Sequence, residues 1–211
     1  MITLYTWTTP NGRKISIALE EMGLAYEVKP INIGKDEQFS PDFLRIAPNN
    51  KIPAIVDHDA PGGPLSVFES GAILQYLADK SGMFLPKDYP ARAKVLEWVN
   101  WQMGGLGPML GQLNFFARRS SEKVPPAIER FRDEGVRLIR VMEKQLGKNA
   151  YLAGPEYSIA DMACYAWTLA GLPILKELAG EALGPTFATD LWLMTVGSRD
   201  AVKRGMAVPA V

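Results

Sequence analysis

"ITLYTWTTPNGRKISIALEEMG", residues 2–23, reads as a strand, a turn and a helix in that order. The run ITLYT suits a strand. Pro10 stands where a helix would begin, a position at which its missing N–H costs nothing. Ile15, Ala18, Leu19 and Met22 follow at helical spacing, and Gly23 is a C-terminal stop. Neither neighbour of Pro10 is a cysteine.

Working outward, AYEVKPINI (25–33) is a second strand, parallel to the first if the helix between them is a crossover. PDFLRIAPNN (41–50) is a helical turn broken at Pro48. KIPAIVDHDAPGGPLSVF (51–68) reads as two strands that reverse at Pro61, Gly62, Gly63 and Pro64. Glu69 and Ser70 then open a helix whose Ile73, Leu74, Leu77 and Ala78 share one face. The order β-α-β-α-β-β-α predicts a small α/β domain over residues 1–81. The prolines of MFLPKDYPAR predict a linker over 82–90. Every later signal is helical, so 91–211 is expected to be an all-helical domain. AIERFRDEGVRLIRVMEKQLG keeps its apolar residues on one side, and Ser158 with Asp161 makes a capping-box variant at the head of SIADMACYAW.

Composition narrows the function. Of 211 residues, 47% are apolar and 22% charged, as in ordinary globular chains. Lys plus Arg equals Asp plus Glu, 23 each, which gives no cue for nucleic acid or an anionic membrane as partner. No run is long enough to span a bilayer and no secretory signal opens the chain, so a cytoplasmic setting is expected. The one cysteine, Cys164, forbids an internal disulfide and a cysteine-rich metal site, and the one histidine, His58, forbids a His cluster. No metal is therefore expected.

Three constellations carry chemistry. At the first turn, a thiol held against a helix N-terminus meets free N–H groups and the positive end of the dipole. The Thr9 hydroxyl and the Asn11 amide are able to donate to such a sulfur. Lowering a thiol pKa from ~8.5 to ~6.5 takes roughly 2.7 kcal/mol, within reach of one or two charged hydrogen bonds at ~1.5–3 kcal/mol each. A plain helix cap uses the same residue types. In NNKIPAIVD (49–57), Pro53 interrupts an otherwise good strand. A cis Ile52–Pro53 bond at the strand's start would leave the Ile52 backbone groups free to pair with an extended peptide; an edge-strand proline without a partner is the alternative. In SVFESGAILQYL (66–77), Ser70 and the adjoining N–H groups suit a carboxylate, and Glu69 suits an ammonium. A capped helix with a spare acid would look the same. Taken together, a thiolate-stabilising turn, a strand for a short peptide and a receptor for an amino-acid head describe γ-glutamyl-cysteinyl-glycine, that is, glutathione.

Other motifs have plainer readings. Trp98 and Trp101 lie three apart on one helix and suit packing. GGLGPMLG (104–111) implies a kink, a close approach or a helix break. Arg118 and Arg119 suit solvent, His58 a turn, and Cys164 an inert buried thiol.

The residues just quoted resemble the cytosolic glutathione transferases over essentially the whole chain. NNKIPAIVD, ESGAILQYLADK and YSIADMACYAW match that family's proline strand, glutamate-serine turn and C-terminal capping helix. TPNGRKISIALEE, QFSPDFLRIAPNNKIPAIVDH, NWQMGGLGPMLGQ and AIERF are similar to its nu-class branch, which holds the YfcG-type disulfide-bond oxidoreductases. The resemblance implies a thioredoxin-like N-terminal domain with an all-α C-terminal domain, and glutathione as cosubstrate. It implies Thr9 and Asn11 at the glutathione sulfur, Gln38 at the glycyl end and Ile52 on the cysteinyl backbone, with Lys51 and Pro53 also among the glutathione-binding residues. Glu69 and Ser70 would hold the γ-glutamyl head. It also implies a homodimer in which Arg130 reaches the partner's site. Tyr5 lies too far before the turn for the tyrosine mechanism of other classes. The expected activity is reduction of small disulfides through ligand thiols. Conjugation or peroxide reduction is the first alternative, and a non-catalytic glutathione-binding module the second. Segment 172–192 departs from the family pattern, which leaves the second substrate open.

Overall fold

In the computed structural model, which describes residues 1–211, the opening stretch forms β1 (Ile2–Thr6) and α1 (Pro10–Glu21). Next come β2 (Tyr26–Pro30), α2 (Pro41–Ile46), β3 (Ala54–Asp57), β4 (Leu65–Phe68) and α3 (Ser70–Ser81). The expected β-α-β-α-β-β-α order is present. The sheet order is β2-β1-β3-β4, with β1 and β2 parallel and the other pairs antiparallel. β2 is shorter than AYEVKPINI suggests. It stops at Pro30, and the chain then makes two single 3₁₀ turns, Ile33–Lys35 and Glu37–Phe39.

Two compact units are present: Met1–Leu85 with Gly197–Val211, and Pro86–Val196. The second contains α4 (Tyr89–Trp101), α5 (Gly107–Asn114), α6 (Pro125–Leu146), α7 (Ile159–Ala179) and most of α8 (Phe187–Gly197). The last helix, α9 (Asp200–Met206), packs on α1 rather than with the helices before it. Gly205 is the reason the two helices come so close. A Cβ there would fall 2.5 Å from the Ile17 Cα. Around this contact, the Ser16 hydroxyl donates to the Gly205 carbonyl at 2.7 Å, Arg199 pairs with Glu21 at 2.5 Å, and Arg204 pairs with Glu20 at 2.6 Å.

In the first unit, Ile2, Leu4, Ile15, Ile17, Ala18, Leu19, Ile73, Leu74 and Leu77 are all buried, so the apolar faces of α1 and α3 cover the sheet. Burial of one such side chain is worth about 1.5–3 kcal/mol. Asp57 closes the far end of β3. Its fully buried carboxylate accepts from the Tyr76 hydroxyl at 2.6 Å and pairs with Lys80 at 2.7 Å. His58, in the turn that follows, shares a hydrogen bond of 2.8 Å with Thr3.

The second unit is built on small-residue contacts. Leu110 seats against Gly171, where a Cβ would come within 2.6 Å of the leucine, and Gly135 lets Leu175 approach α6 in the same way. GGLGPMLG is neither a simple kink nor a break. Residues Gln102–Leu106 wind as a π-turn that leads directly into α5. At the head of α7 the capping box is complete, and the Asp161 carboxylate accepts from Ser158 N–H and hydroxyl, Leu152 N–H and Trp192 Nε1–H. Pro173 sits inside α7. No helix is long and apolar enough to cross a membrane.

Candidate functional site

Tyr5, Ala54 and Phe68 form one row across the sheet, since Tyr5 pairs with Ala54 and Ala54 with Phe68. The chain leaves the sheet just beyond each of them. The Trp7–Thr9 turn follows β1, Ile52 and Pro53 precede β3, and Glu69 and Ser70 follow β4. Lys29 of β2 pairs with Tyr5 in the same row, so the segment carrying Gln38 departs from this end as well. Topology thus gathers the segments of Thr9, Asn11, Gln38, Lys51, Ile52, Pro53, Glu69 and Ser70 at one end of one sheet. Arg130 belongs to the second unit, where it is exposed on α6.

The first turn is tightly built. Thr9 is extended and caps α1, its hydroxyl oxygen accepting the Gly12 N–H at 3.2 Å. A Cβ on Gly12 would meet the Thr6 hydroxyl and lie 2.5 Å from the Trp7 carbonyl oxygen, so only glycine fits. Capping and sulfur binding, the two readings of Thr9, are compatible. The cap uses a lone pair of the oxygen, while the O–H proton is retained for donation. Asn11 is half-buried beside it. Tyr5 is engaged elsewhere, with its ring 6.1 Å from that of Phe43 and 5.6 Å from the Lys29 ammonium.

The Ile52–Pro53 bond is cis. The paired ladder of β3 starts at Ala54, so the backbone of Ile52 lies outside it. Lys51 is exposed and Ile52 half-buried.

Glu69 does not act as an ordinary cap. It holds φ 69° and ψ 114°, a region that a non-glycine residue occupies at a cost of about 1–3 kcal/mol, and its side chain makes no capping hydrogen bond to α3. The first intrahelical bond of α3 runs from the Ile73 N–H to the Glu69 carbonyl at 2.9 Å, so the Ser70, Gly71 and Ala72 N–H groups precede the ladder. Ser70 is 6% exposed at this helix N-terminus. On the other side of the sheet end, Gln38 donates weakly to Asp36 at 3.4 Å while its Oε1 is buried with no partner. Such an atom is costly to leave unpaired.

Sequence reasoning passed over Lys14. This α1 side chain is 1% exposed, and its ammonium donates to the Ser70 hydroxyl oxygen at 3.3 Å. A signal was present: Lys14 stands three and four residues before Ile17 and Ala18, on the buried side of the helix. The bond ties the second turn of α1 to the start of α3. The end of the sheet thus carries the capping hydroxyl of Thr9, the buried hydroxyl of Ser70 at the N-terminus of α3, and the exposed acid of Glu69.

Residues 1–79 match the family model described as glutathione S-transferase, N-terminal domain. Among curated relatives, the disulfide-bond oxidoreductase YfcG of Escherichia coli is 54% identical over 79% of this chain and 79% of its own length. The disulfide-bond oxidoreductase YghU of the same organism is 40% identical over 98% of this chain and 74% of its own. Among solved structures, a glutathione transferase family member from Pseudomonas fluorescens, crystallised with two glutathiones bound, superposes with a TM-score of 0.92 at 42% identity, covering 99% of this chain and 93% of that one. A glutathione transferase from Pseudomonas putida, with one glutathione disulfide bound per subunit, gives 0.92 at 41% identity over 99% of this chain and 91% of that one.

Proposed function

This chain belongs to the glutathione transferase superfamily, on its YfcG-type branch, and from that premise we propose that it is a glutathione-dependent disulfide-bond oxidoreductase. One observation carries the mechanism. The sole cysteine, Cys164, is fully buried in α7, so the reacting thiolate comes from the ligand. Bound glutathione thiolate attacks one sulfur of a small disulfide. A new S–S bond forms, the old one breaks, and the departing sulfur leaves as thiolate with the bonding electron pair. A second glutathione thiolate then attacks the mixed disulfide, yielding glutathione disulfide and releasing the other half of the substrate as thiolate. Two glutathiones are oxidised for each disulfide reduced. The ligands of the two Pseudomonas structures, two glutathiones in one and glutathione disulfide in the other, are the same molecules that this scheme consumes and produces, which supports the reading.

In this reading Thr9 and Asn11 donate to the glutathione sulfur that attacks or leaves, at the N-terminus of α1 where the dipole favours negative charge. Gln38 meets the glycyl end, whose N–H is a donor suited to the amide oxygen left unpaired in the protein. Lys51, Ile52 and Pro53 line the cysteinyl backbone, with Ile52 pairing as an added strand would. Ser70 and Glu69 take the carboxylate and ammonium of the γ-glutamyl head. Residues 1–81 are the glutathione-binding domain, to which α9 adds support. The protein works as a nu-class cytoplasmic homodimer, with Arg130 reaching the partner's site.

The test is a side-by-side assay of a model disulfide and a model aryl halide, each with glutathione. Disulfide turnover should dominate, and Asn11→Ala should lower that turnover more than it weakens glutathione binding. Turnover of the aryl halide alone would move the assignment to conjugation. Binding of glutathione without turnover of either would leave a binding module.

A further inference from the structure

A fully buried lysine is unusual, because removing an ammonium from water is expensive unless something is gained from its charge. Lys14 is among the largest fully buried side chains in the protein, at 1% exposure. Its ammonium donates to the hydroxyl oxygen of Ser70, and Ser70 is the first residue of α3. The positive end of the α3 dipole and the ammonium therefore act at the same place. Two positive influences converging beneath one hydroxyl make sense if an anion sits above it.

The direction of the bond matters as much as the charge. A hydroxyl has one proton and two lone pairs. With a lone pair of Ser70 Oγ occupied by Lys14, the proton is directed elsewhere, and accepting from a cation polarises the O–H into a stronger donor. Thr9 is treated alike at the neighbouring turn, where the Gly12 N–H occupies its oxygen. Each oxygen thus accepts one bond from the protein and still carries its proton, a chemistry that suits a carboxylate at one and a thiolate at the other.

We propose that Lys14 is a positioning residue for the γ-glutamyl carboxylate: it anchors the Ser70 hydroxyl oxygen and supplies the buried charge that makes this end of the site select a ligand with an α-carboxylate. The proposal rests on the glutathione reading above. It makes selectivity for the γ-glutamyl head depend on a residue that lies beneath the serine.

Calorimetry tests it with two ligands, glutathione and 4-aminobutyryl-cysteinyl-glycine, which lacks only the α-carboxylate. The wild type should bind glutathione at least ~10-fold more tightly, as expected for a charged hydrogen bond; equal affinities would overturn the proposal before any substitution is made. Lys14→Met should weaken glutathione ~10–100-fold while binding the decarboxylated analogue as the wild type does. Lys14→Gln, which keeps a donor and loses the charge, should fall between. Adding Ser70→Ala to Lys14→Met should cost little more, because the two act as one unit. A merely structural lysine would instead weaken both ligands alike and lower the melting temperature, and either that result or unchanged glutathione affinity in Lys14→Met would overturn the proposal. If the wild type shows no saturable heat with glutathione at all, the proposed function falls, and this inference with it.

Discussion

The Thr9 hydroxyl oxygen accepts the Gly12 N–H at 3.2 Å, so one side chain both caps α1 and keeps a proton for whatever occupies the turn. The two duties separate by substitution. Thr9→Ala should cost about 1 kcal/mol of stability through the lost cap and also reduce disulfide turnover. Thr9→Ser should restore both. Denaturant midpoints and steady-state rates on the same preparations check this; full activity in Thr9→Ala would remove the hydroxyl from the chemistry.

Cys164 is predicted to be irrelevant to turnover. It is fully buried, so the native protein should leave a thiol-specific dye uncoloured and react only when unfolded. Cys164→Ala should retain disulfide reductase activity at the wild-type rate, since every reacting sulfur arrives with a ligand. A large drop in kcat, without loss of fold, would contradict the scheme.

Asp57 predicts how the protein responds to acid. Burial raises its pKa, but the hydrogen bonds from Lys80 and Tyr76 outweigh that and hold it below its ordinary 3.8. A carboxylate depressed in the folded state contributes its full stability above the unfolded value, and loses it as pH falls through the folded one. The melting temperature should therefore drop below about pH 4. Asp57→Asn should be less stable at neutral pH by ~3 kcal/mol, the scale for breaking a buried pair, and should show a shallower acid limb. A variant with an acid limb as steep as the wild type's would assign the effect to other carboxylates.

Gly205 predicts a backbone clash. Its missing Cβ would lie 2.5 Å from the Ile17 Cα and 2.6 Å from the Ile17 nitrogen, and neither atom belongs to a side chain that could swing away. Gly205→Ala should destabilise by ~1–3 kcal/mol and speed amide exchange in α1. Unchanged exchange there would mean that α9 adjusts without disturbing its neighbour.

Much of the α/β unit was legible because its signals are local. Pro10, Gly23 and the spacing of Ile15, Ala18 and Leu19 mark the ends and face of α1 without any tertiary information, and Ser158 with Asp161 marks the start of α7 in the same way. Three features were hidden because they depend on distant partners. The buried Lys14 finds Ser70, far along the chain, as a hydrogen-bond partner. The π-turn at Gln102–Leu106 arises in a stretch whose glycines signal only that something irregular occurs. The docking of α9 is decided by one missing methyl group at Gly205 and by ion pairs to Glu20 and Glu21. For the site, residue types and order were readable, whereas their convergence at the row of Tyr5, Ala54 and Phe68 required the register of the sheet.

The seating of α9 against α1 also bears on how the molecule comes to exist during translation. The first helix to emerge from the ribosome lacks its final neighbour until residues near 205 are synthesised, after the whole intervening helical unit. The sheet and its early helices must wait with one flank of α1 uncovered. Ribosome-bound chains stalled before residue 197 should accordingly be open to proteolysis around Ile17, and become resistant once Gly205 has cleared the exit tunnel.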